Sequence, residues 1–361
     1  MSLFIFIAIL VALIWVHELG HFSVAKLFRI RVLEFAVGFP PRLFVVQKGE
    51  TKYTLNLILV GGYVHIWGEN AGEGTGDPRA LTSKNRWVQA AVLVAGVCFN
   101  VLFAWLLLSL GYMAGLPAGA SQNVVGQVSG QRVVVVNVLP DSPASEAGVR
   151  SGDEVREVQT SNRFLEQGGD SQLVHAFLTE HQNESVVLGL VRDGEEVRFV
   201  LRAREGVVEG RKALGVQFGD IGTLKLPLHL AFVQGAATTW NITKNTAQGI
   251  GGLIGGLVRG GADLSGVAGP IGIASIGSQA VRAGYEQVVV ITALISINLA
   301  LINLLPIPGL DGGRLLIVAV EGITRRSVPQ RVATSLMLAG FALIIVLMLL
   351  VSYQDIARLI G

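Results

Sequence analysis

Four long apolar runs constrain this chain more than any other feature. Residues 3–16 are apolar without a break. Residues 88–116 are interrupted mainly by Gln89, Asn100 and Ser109, and residues 288–305 and 332–351 carry no charge. A bilayer core about 30 Å thick takes about 20 helical residues. The runs therefore predict transmembrane helices near 2–25, 88–116, 286–306 and 332–352. Charge agrees: 15% of the 361 residues are charged, against about 25% in an ordinary soluble domain. That deficit argues against a soluble enzyme and against a disordered chain, which needs low hydrophobicity and high charge. A formal net charge of +2 gives no basic footprint for nucleic acid, and a single cysteine, Cys98, excludes an internal disulfide. The first run lacks a basic leader segment and a small-residue cleavage site, so it reads as a span and not as a signal peptide.

Orientation follows from the basic residues in short loops. They cluster between the first two spans, from Lys26 to Arg86, and again between the last two, at Arg314, Arg325, Arg326 and Arg331. Both loops are expected to be cytoplasmic, with 117–285 and both termini outside. Residues 226–259 are moderately apolar but hold Thr238, Asn241, Lys244 and Asn245. A fifth span there would invert the second basic loop, so helices lying at the outer interface are expected. The predicted organisation is a membrane core in two parts, 1–116 and 286–361, an external module at 122–205 and an interfacial, Gly-rich segment at 206–285.

Two stretches are rich in β-formers. In the first, 32–37, 43–46, 53–58 and 63–66 read as short strands, with a hairpin turn at Gln47-Lys48-Gly49-Glu50 and a break at Gly61-Gly62. Backbone polar groups cannot face lipid unpaired, so this hairpin region must pair with itself or line a cavity at the membrane. In the second, 133–138, 186–191 and 197–201 read as strands, the last two joined by the turn at 192–195. Ser142 with Ser145-Glu146 supplies N-terminal capping chemistry for a short helix ended by Gly148. The run Ser142-Pro143-Ala144 … Ala147-Gly148-Val149 … Gly152-Asp153 resembles a PDZ domain, which implies an α+β module able to add a peptide strand to a sheet edge.

The chemistry sits in the first span, at His17-Glu18-Leu19-Gly20-His21. Four residues of α-helix rise about 6 Å and turn about 40° past one revolution. The two imidazoles therefore share a face and can hold one zinc ion, with Glu18 beside the metal as a proton acceptor. A charge in mid-bilayer costs about 2.5–3.5 kcal/mol, which argues against a mere polar contact between helices. A catalytic zinc takes three protein ligands. Asp311, in Asn303-Leu304-Leu305-Pro306-Ile307-Pro308-Gly309-Leu310-Asp311, follows the third span. Both motifs fall at similar depth in the cytoplasmic half of the bilayer, so Asp311 is the candidate third ligand.

Together these motifs resemble the site-2 protease family of intramembrane zinc metalloproteases, in its bacterial branch, that of the regulator of sigma-E protease. The segments Gly61-Gly62-Tyr63-Val64-His65-Ile66-Trp67-Gly68-Glu69 and Gly269-Pro270-Ile271-Gly272-Ile273 match that branch too. The resemblance implies His17, His21 and Asp311 as zinc ligands and Glu18 as catalytic acid/base. It also implies that Asn100 and Asn298 contact the substrate backbone. The substrates would be single-pass membrane proteins, such as anti-sigma factors or signal-peptide remnants, already trimmed outside by an upstream site-1 protease, in the bacterial inner membrane. Two departures stand out. The family's Gly-Pro-x-x-Asn reads Gly96-Val97-Cys98-Phe99-Asn100 here, and one PDZ-like segment is visible where close relatives carry two. Two other classes compete with a protease. A metal-transporting or metal-binding membrane protein would need ligands strung along a path, and a silent scaffold would have no use for Glu18.

Overall fold

The computed structural model describes residues 2–360 apart from 70–72, 75, 120–124, 167–169, 193, 209–210, 262–268 and 327. In chain order the helices are α1 (Ser2–Leu27), α2 (Arg86–Ala114), α3 (Pro143–Ala147), α4 (Ser171–Glu180), α5 (Leu228–Val258), α6 (Pro270–Ala283), α7 (Tyr285–Leu304), α8 (Asp311–Thr324) and α9 (Gln330–Ile360). The strands are β1 (Val32–Lys48), β2 (Thr51–Ile66), β3 (Leu116–Gly119), β4 (Val128–Val138), β5 (Glu154–Gln159), β6 (Phe164–Glu166), β7 (Ser185–Arg192), β8 (Glu195–Arg202), β9 (Arg204–Val208), β10 (Arg211–Ala213) and β11 (Val216–Leu224). Among the described residues four helices are long and apolar enough to cross a membrane: α1, α2, α7 and, within α9, residues 331–357. These are the four expected spans, with ends shifted by a few residues. The chain divides into two compact units, one of residues 1–111 with 235–361 and one of residues 112–234.

In the first unit, β1 and β2 pair antiparallel, and each doubles back once. Residues 34–37 of β1 lie between two stretches of β2: Val37 partners Gly62 on one side and Leu55 on the other. Residues 44–48 then continue along 51–55. The four short segments read from the sequence are thus two bent strands, and the turn at Gly49-Glu50 falls where expected. Gly61-Gly62 does not end β2. It bends the strand so that 62–66 regains partners at the start of β1. A buried cluster of Ala25, Ile30, Val32, Phe35, Val64, Ile66, Leu81 and Val92 docks the root of this small sheet on the end of α1 and the start of α2. Apolar burial of this kind contributes about 1.5–3 kcal/mol per large side chain. The tip points many apolar groups outward, among them Phe44, Val46 and Leu57, as a membrane-facing hairpin would.

Small residues let the helices of this unit approach closely. A side chain on Gly277 of α6 would run into the Phe6 ring of α1, and one on Gly340 of α9 into the Pro308 carbonyl. The Gly269-Pro270 start of α6 is held by Asp355 of α9, whose carboxylate accepts from the backbone N–H of Gly269 at 3.2 Å and of Gly272 at 2.8 Å. An anion at a helix N-terminus satisfies donors that have no partner within the helix.

In the second unit a sheet of order β3-β11-β4-β5-β7-β8, with β6 on β5, packs over Val135, Val158, Val174, Val186, Leu188, Leu190 and Phe218. Ser142 accepts from the Ser145 N–H at 3.2 Å and caps α3, which Gly148 ends at φ +88°. The β7–β8 hairpin forms with Arg192 opposite Glu195. Its Asp193, and the first residues of the module expected at 122–205, lie outside the described residues. One boundary moves. The segment 206–285, read as a single interfacial stretch, contains β11, which lies inside the sheet between β3 and β4. Gly215, Gly219 and Gly222 contribute to the Gly-rich character of that segment, yet a strand whose neighbours crowd it needs glycine. A side chain at Gly222 would strike Val128 and the Ser129 carbonyl.

Candidate active site

Three donor atoms converge inside the first unit. His17 Nε2 lies 2.9 Å from Asp311 Oδ2, His21 Nε2 lies 3.2 Å from the same oxygen, and the two imidazole nitrogens are 3.1 Å apart. Among the described residues these form the cluster of His, Cys, Asp and Glu able to hold a metal. Both histidines are buried. Zinc at about 2.0–2.1 Å from each tetrahedral ligand sets ligand atoms about 3.3 Å apart. The observed triangle is close to that, and its chemistry, two neutral imidazoles and one carboxylate, is a catalytic zinc set. Spacing and donor chemistry together fit that ion.

Each donor has a local cause. His17 and His21 share a face of α1 because they are four residues apart. That face meets α2 through glycine: a Cβ on Gly20 would lie 2.5 Å from the Ala95 carbonyl oxygen, and one on Gly96 would lie 2.5 Å from His21 Nε2 and 2.6 Å from His17 Cε1. The middle of the HELGH motif is therefore the contact point between the two helices, and Gly96 is the floor beneath both rings. His21 Nδ1 donates to the Val92 carbonyl at 2.8 Å, which leaves Nε2 free to bind a metal.

Asp311 arrives by a different route. After α7 the chain turns through Pro306, Pro308 and Gly309, the last at φ +98°, a conformation glycine adopts without strain. The N–H of Ile307 bonds to the Leu305 carbonyl at 2.7 Å and that of Leu310 to the Ile307 carbonyl at 3.1 Å. Asp311 is then the first residue of α8, within a loop as read from the sequence. Gly312 and Gly313 pack their bare backbones on the carbonyls of Leu304, Leu305 and Ile307. This backbone contact fixes the start of α8. Three residues on, Arg314 pairs with Glu69, just past the end of β2.

Glu18, His17 and Asp311 line two small cavities. One, of about 170 Å³, continues past Tyr63, Val64 and Ile66 of β2. The other, of about 190 Å³, is bounded by Ile14, Leu299, Asn303 and Leu310. Gly62 is crowded by its strand partner: a Cβ there would sit 2.9 Å from the Ala36 carbonyl oxygen, and in ordinary contact, at 3.6 Å, with Glu18 Cγ.

The two asparagines expected at the substrate fare differently. Asn100 is fully buried, lines neither cavity and lies against His17, its amide nitrogen 3.4 Å from Nδ1. Asn298 also lines neither cavity, and its Oδ1 is buried without a partner. The asparagine that does face the site is Asn303, whose amide lies 3.5 Å from His17 Nε2. Its sequence signal was a polar side chain at the end of an apolar span, eight residues before Asp311.

This arrangement, a buried two-histidine and one-carboxylate cluster with a free carboxylate in a chain of four membrane-length helices, is that of a membrane-embedded metallohydrolase. The comparisons give the family. The model of peptidase family M50, the site-2 proteases, matches residues 5–347, and the chain belongs to that family. A protein from Clostridium perfringens whose name places it among the zinc metalloproteases is 32% identical over 96% of this chain and 95% of its own length. One so named from Campylobacter jejuni is 32% identical over 97% of this chain and 91% of its own. The zinc metalloprotease RasP of Bacillus licheniformis is 26% identical over 98% of each chain. The protein is a zinc metalloprotease of the membrane.

Proposed function

We propose that His17, His21 and Asp311 hold the zinc, that Glu18 moves the proton, and that the enzyme cleaves single-pass membrane proteins within or beside their transmembrane segment. The carrying observation is the convergence of three ligand-type atoms from α1 and the distant start of α8, beside a fourth ionisable group, Glu18, that lines the same cavities. Zinc bound there supplies a Lewis acid that polarises the scissile carbonyl and makes water acidic enough to attack. Glu18 takes the proton from the attacking water and returns it to the leaving amine.

A transmembrane helix hides its carbonyls in internal hydrogen bonds, so the substrate must unwind, and its freed backbone groups need partners. Residues 62–66 are suited to supply them. In the described pairings they have ladder partners on the 32–37 side alone, and they border the cavity that holds Glu18. The substrate is read as a strand added to that edge. Asn303, which lines the other cavity that Glu18 borders, is better placed than Asn298 to meet its backbone.

The finer assignments rest on the resemblance and on charge pattern. The substrates are anti-sigma factors or similar proteins trimmed first by a site-1 protease. The enzyme lies in the bacterial inner membrane with the 26–87 and 307–331 segments cytoplasmic, and the 112–234 unit is a PDZ-like external module. A groove within that unit supports the last reading. It holds about 480 Å³ beside α4 and the start of β11, and its walls include His175, Leu178, Leu214, Gly215 and Val216.

The decisive experiment is Glu18→Gln in the purified full chain, assayed on a model single-pass substrate. Cleavage should fall by about 100-fold or more while zinc content stays at the wild-type level. Wild-type rates in this variant would remove Glu18 from the mechanism.

A further inference from the structure

We infer that Asn100 is a positioning residue for the ligand His17: its side-chain oxygen accepts the Nδ1 proton of that imidazole and so holds Nε2 in the metal-binding tautomer. This rests on the reading of His17 as a ligand, and it gives Asn100 a role other than contact with the substrate.

Three facts carry it. The side chain of Asn100 is completely buried, and its Oδ1 has no partner, while the other end of the same amide lies 3.4 Å from His17 Nδ1. The two ends of an amide occupy nearly the same volume, so hydrogen bonding decides which end faces a neighbour. A histidine that binds metal through Nε2 carries its proton on Nδ1 and needs an acceptor there. Turning the amide so that Oδ1 faces Nδ1 meets that need and gives the buried oxygen a partner, with the amide nitrogen taking the place the oxygen leaves.

The second observation is the regular spacing on α2. Val92, Gly96 and Asn100 are four residues apart and form one stripe along the helix. Because α1 and α2 run antiparallel, the stripe serves the two rings in reverse order. The Val92 carbonyl takes the His21 Nδ1 proton at 2.8 Å, Gly96 clears space beneath both rings, and Asn100 reaches His17 Nδ1. One histidine thus has a backbone acceptor and the other a side-chain acceptor. The third observation is that the Asn100 backbone is itself fixed. Ser296 of α7, fully buried, donates to the Asn100 carbonyl at 2.9 Å, so the helix that carries Asn303 also steadies Asn100.

The test uses Asn100→Leu and Asn100→Asp in the purified full chain, with zinc affinity measured by competition against a chromophoric chelator, and KM measured at saturating zinc. Leucine fills similar space but accepts nothing, and should weaken zinc binding by about 10–100-fold. Aspartate accepts the same proton and should keep affinity within about threefold of wild type. Zinc affinity unchanged in Asn100→Leu, with KM raised, would overturn the inference and make Asn100 a substrate contact. If the leucine variant does not fold, the aspartate variant decides alone: a tenfold loss of zinc affinity in folded protein also overturns it. Failure of the ligand reading shows separately, as His17→Ala protein that binds zinc like wild type.

Discussion

Gly96→Ala is the smallest change that should disable this enzyme. Gly96 lies within α2 and its φ is not in the left-handed region, so alanine can adopt its backbone without strain. The consequence is steric. The added Cβ would sit 2.5 Å from His21 Nε2, 2.6 Å from His17 Cε1 and 2.8 Å from His17 Nε2, whereas ordinary contact begins at 3.4 Å. The rings, or α2 against α1, must therefore give way by about 0.9 Å, several times the roughly 0.2 Å within which zinc ligands have to stay. Retreat of α2 would give up the close backbone packing of Gly20 on Ala95 and Gly96, and displacement of the imidazoles opens the donor triangle; either response disturbs the site. Overpacking of this size costs about 1–3 kcal/mol of stability, and misplacement approaching 1 Å costs about 100-fold in activity. The assay pairs zinc per protein by elemental analysis with cleavage of a model membrane substrate and a thermal unfolding curve. Gly249→Ala is the control. It lies in helix α5 with nothing within 4 Å, and should be neutral or stabilising by up to about 1 kcal/mol. A Gly96→Ala protein with full zinc content and wild-type cleavage would refute the steric argument and with it the placement of the rings on α2.

Removing the carboxylate ligand by Asp311→Ala should lower zinc occupancy as well as cleavage, in contrast to Glu18→Gln. Full metal content in that variant would move the third ligand elsewhere. Cysteines placed at Ser83 and Ser161 in a Cys98→Ala background should react with an impermeant thiol reagent from opposite sides of the membrane. Labelling of both from one side would refute the four-span topology. Ser142→Ala deletes the cap of α3, where Ser142 is fully buried and also donates to the Leu139 carbonyl at 2.6 Å. It should destabilise the 112–234 unit by about 0.5–2 kcal/mol without changing zinc content, as read by thermal unfolding and elemental analysis.

The sequence alone determined what is periodic or local. A bilayer demands runs of about 20 apolar residues, so four spans are legible as composition, and two histidines four apart share a helix face whatever surrounds them. The turn at Gly49-Glu50 and the capped helix after Ser142 are short-range chemistry of the same kind. Asp311 was legible because depth and a proline-glycine turn are both countable along the chain. Tertiary structure decided the rest, because it depends on which backbone lies against which. Nothing local marks Gly96 as the floor of the site. Its neighbours are the rings of another helix. Nothing local separates Asn100, Asn298 and Asn303, three asparagines in apolar helices. Only the helix packing sets Asn100 against His17, leaves Asn298 off both cavities and turns Asn303 into the cavity lined by Glu18 and Asp311. β11 was missed for a similar reason. Its glycines put it with the Gly-rich interfacial segment, but in the sheet Gly222 admits the Val128 side chain and the Ser129 carbonyl, a requirement set by residues almost a hundred positions away.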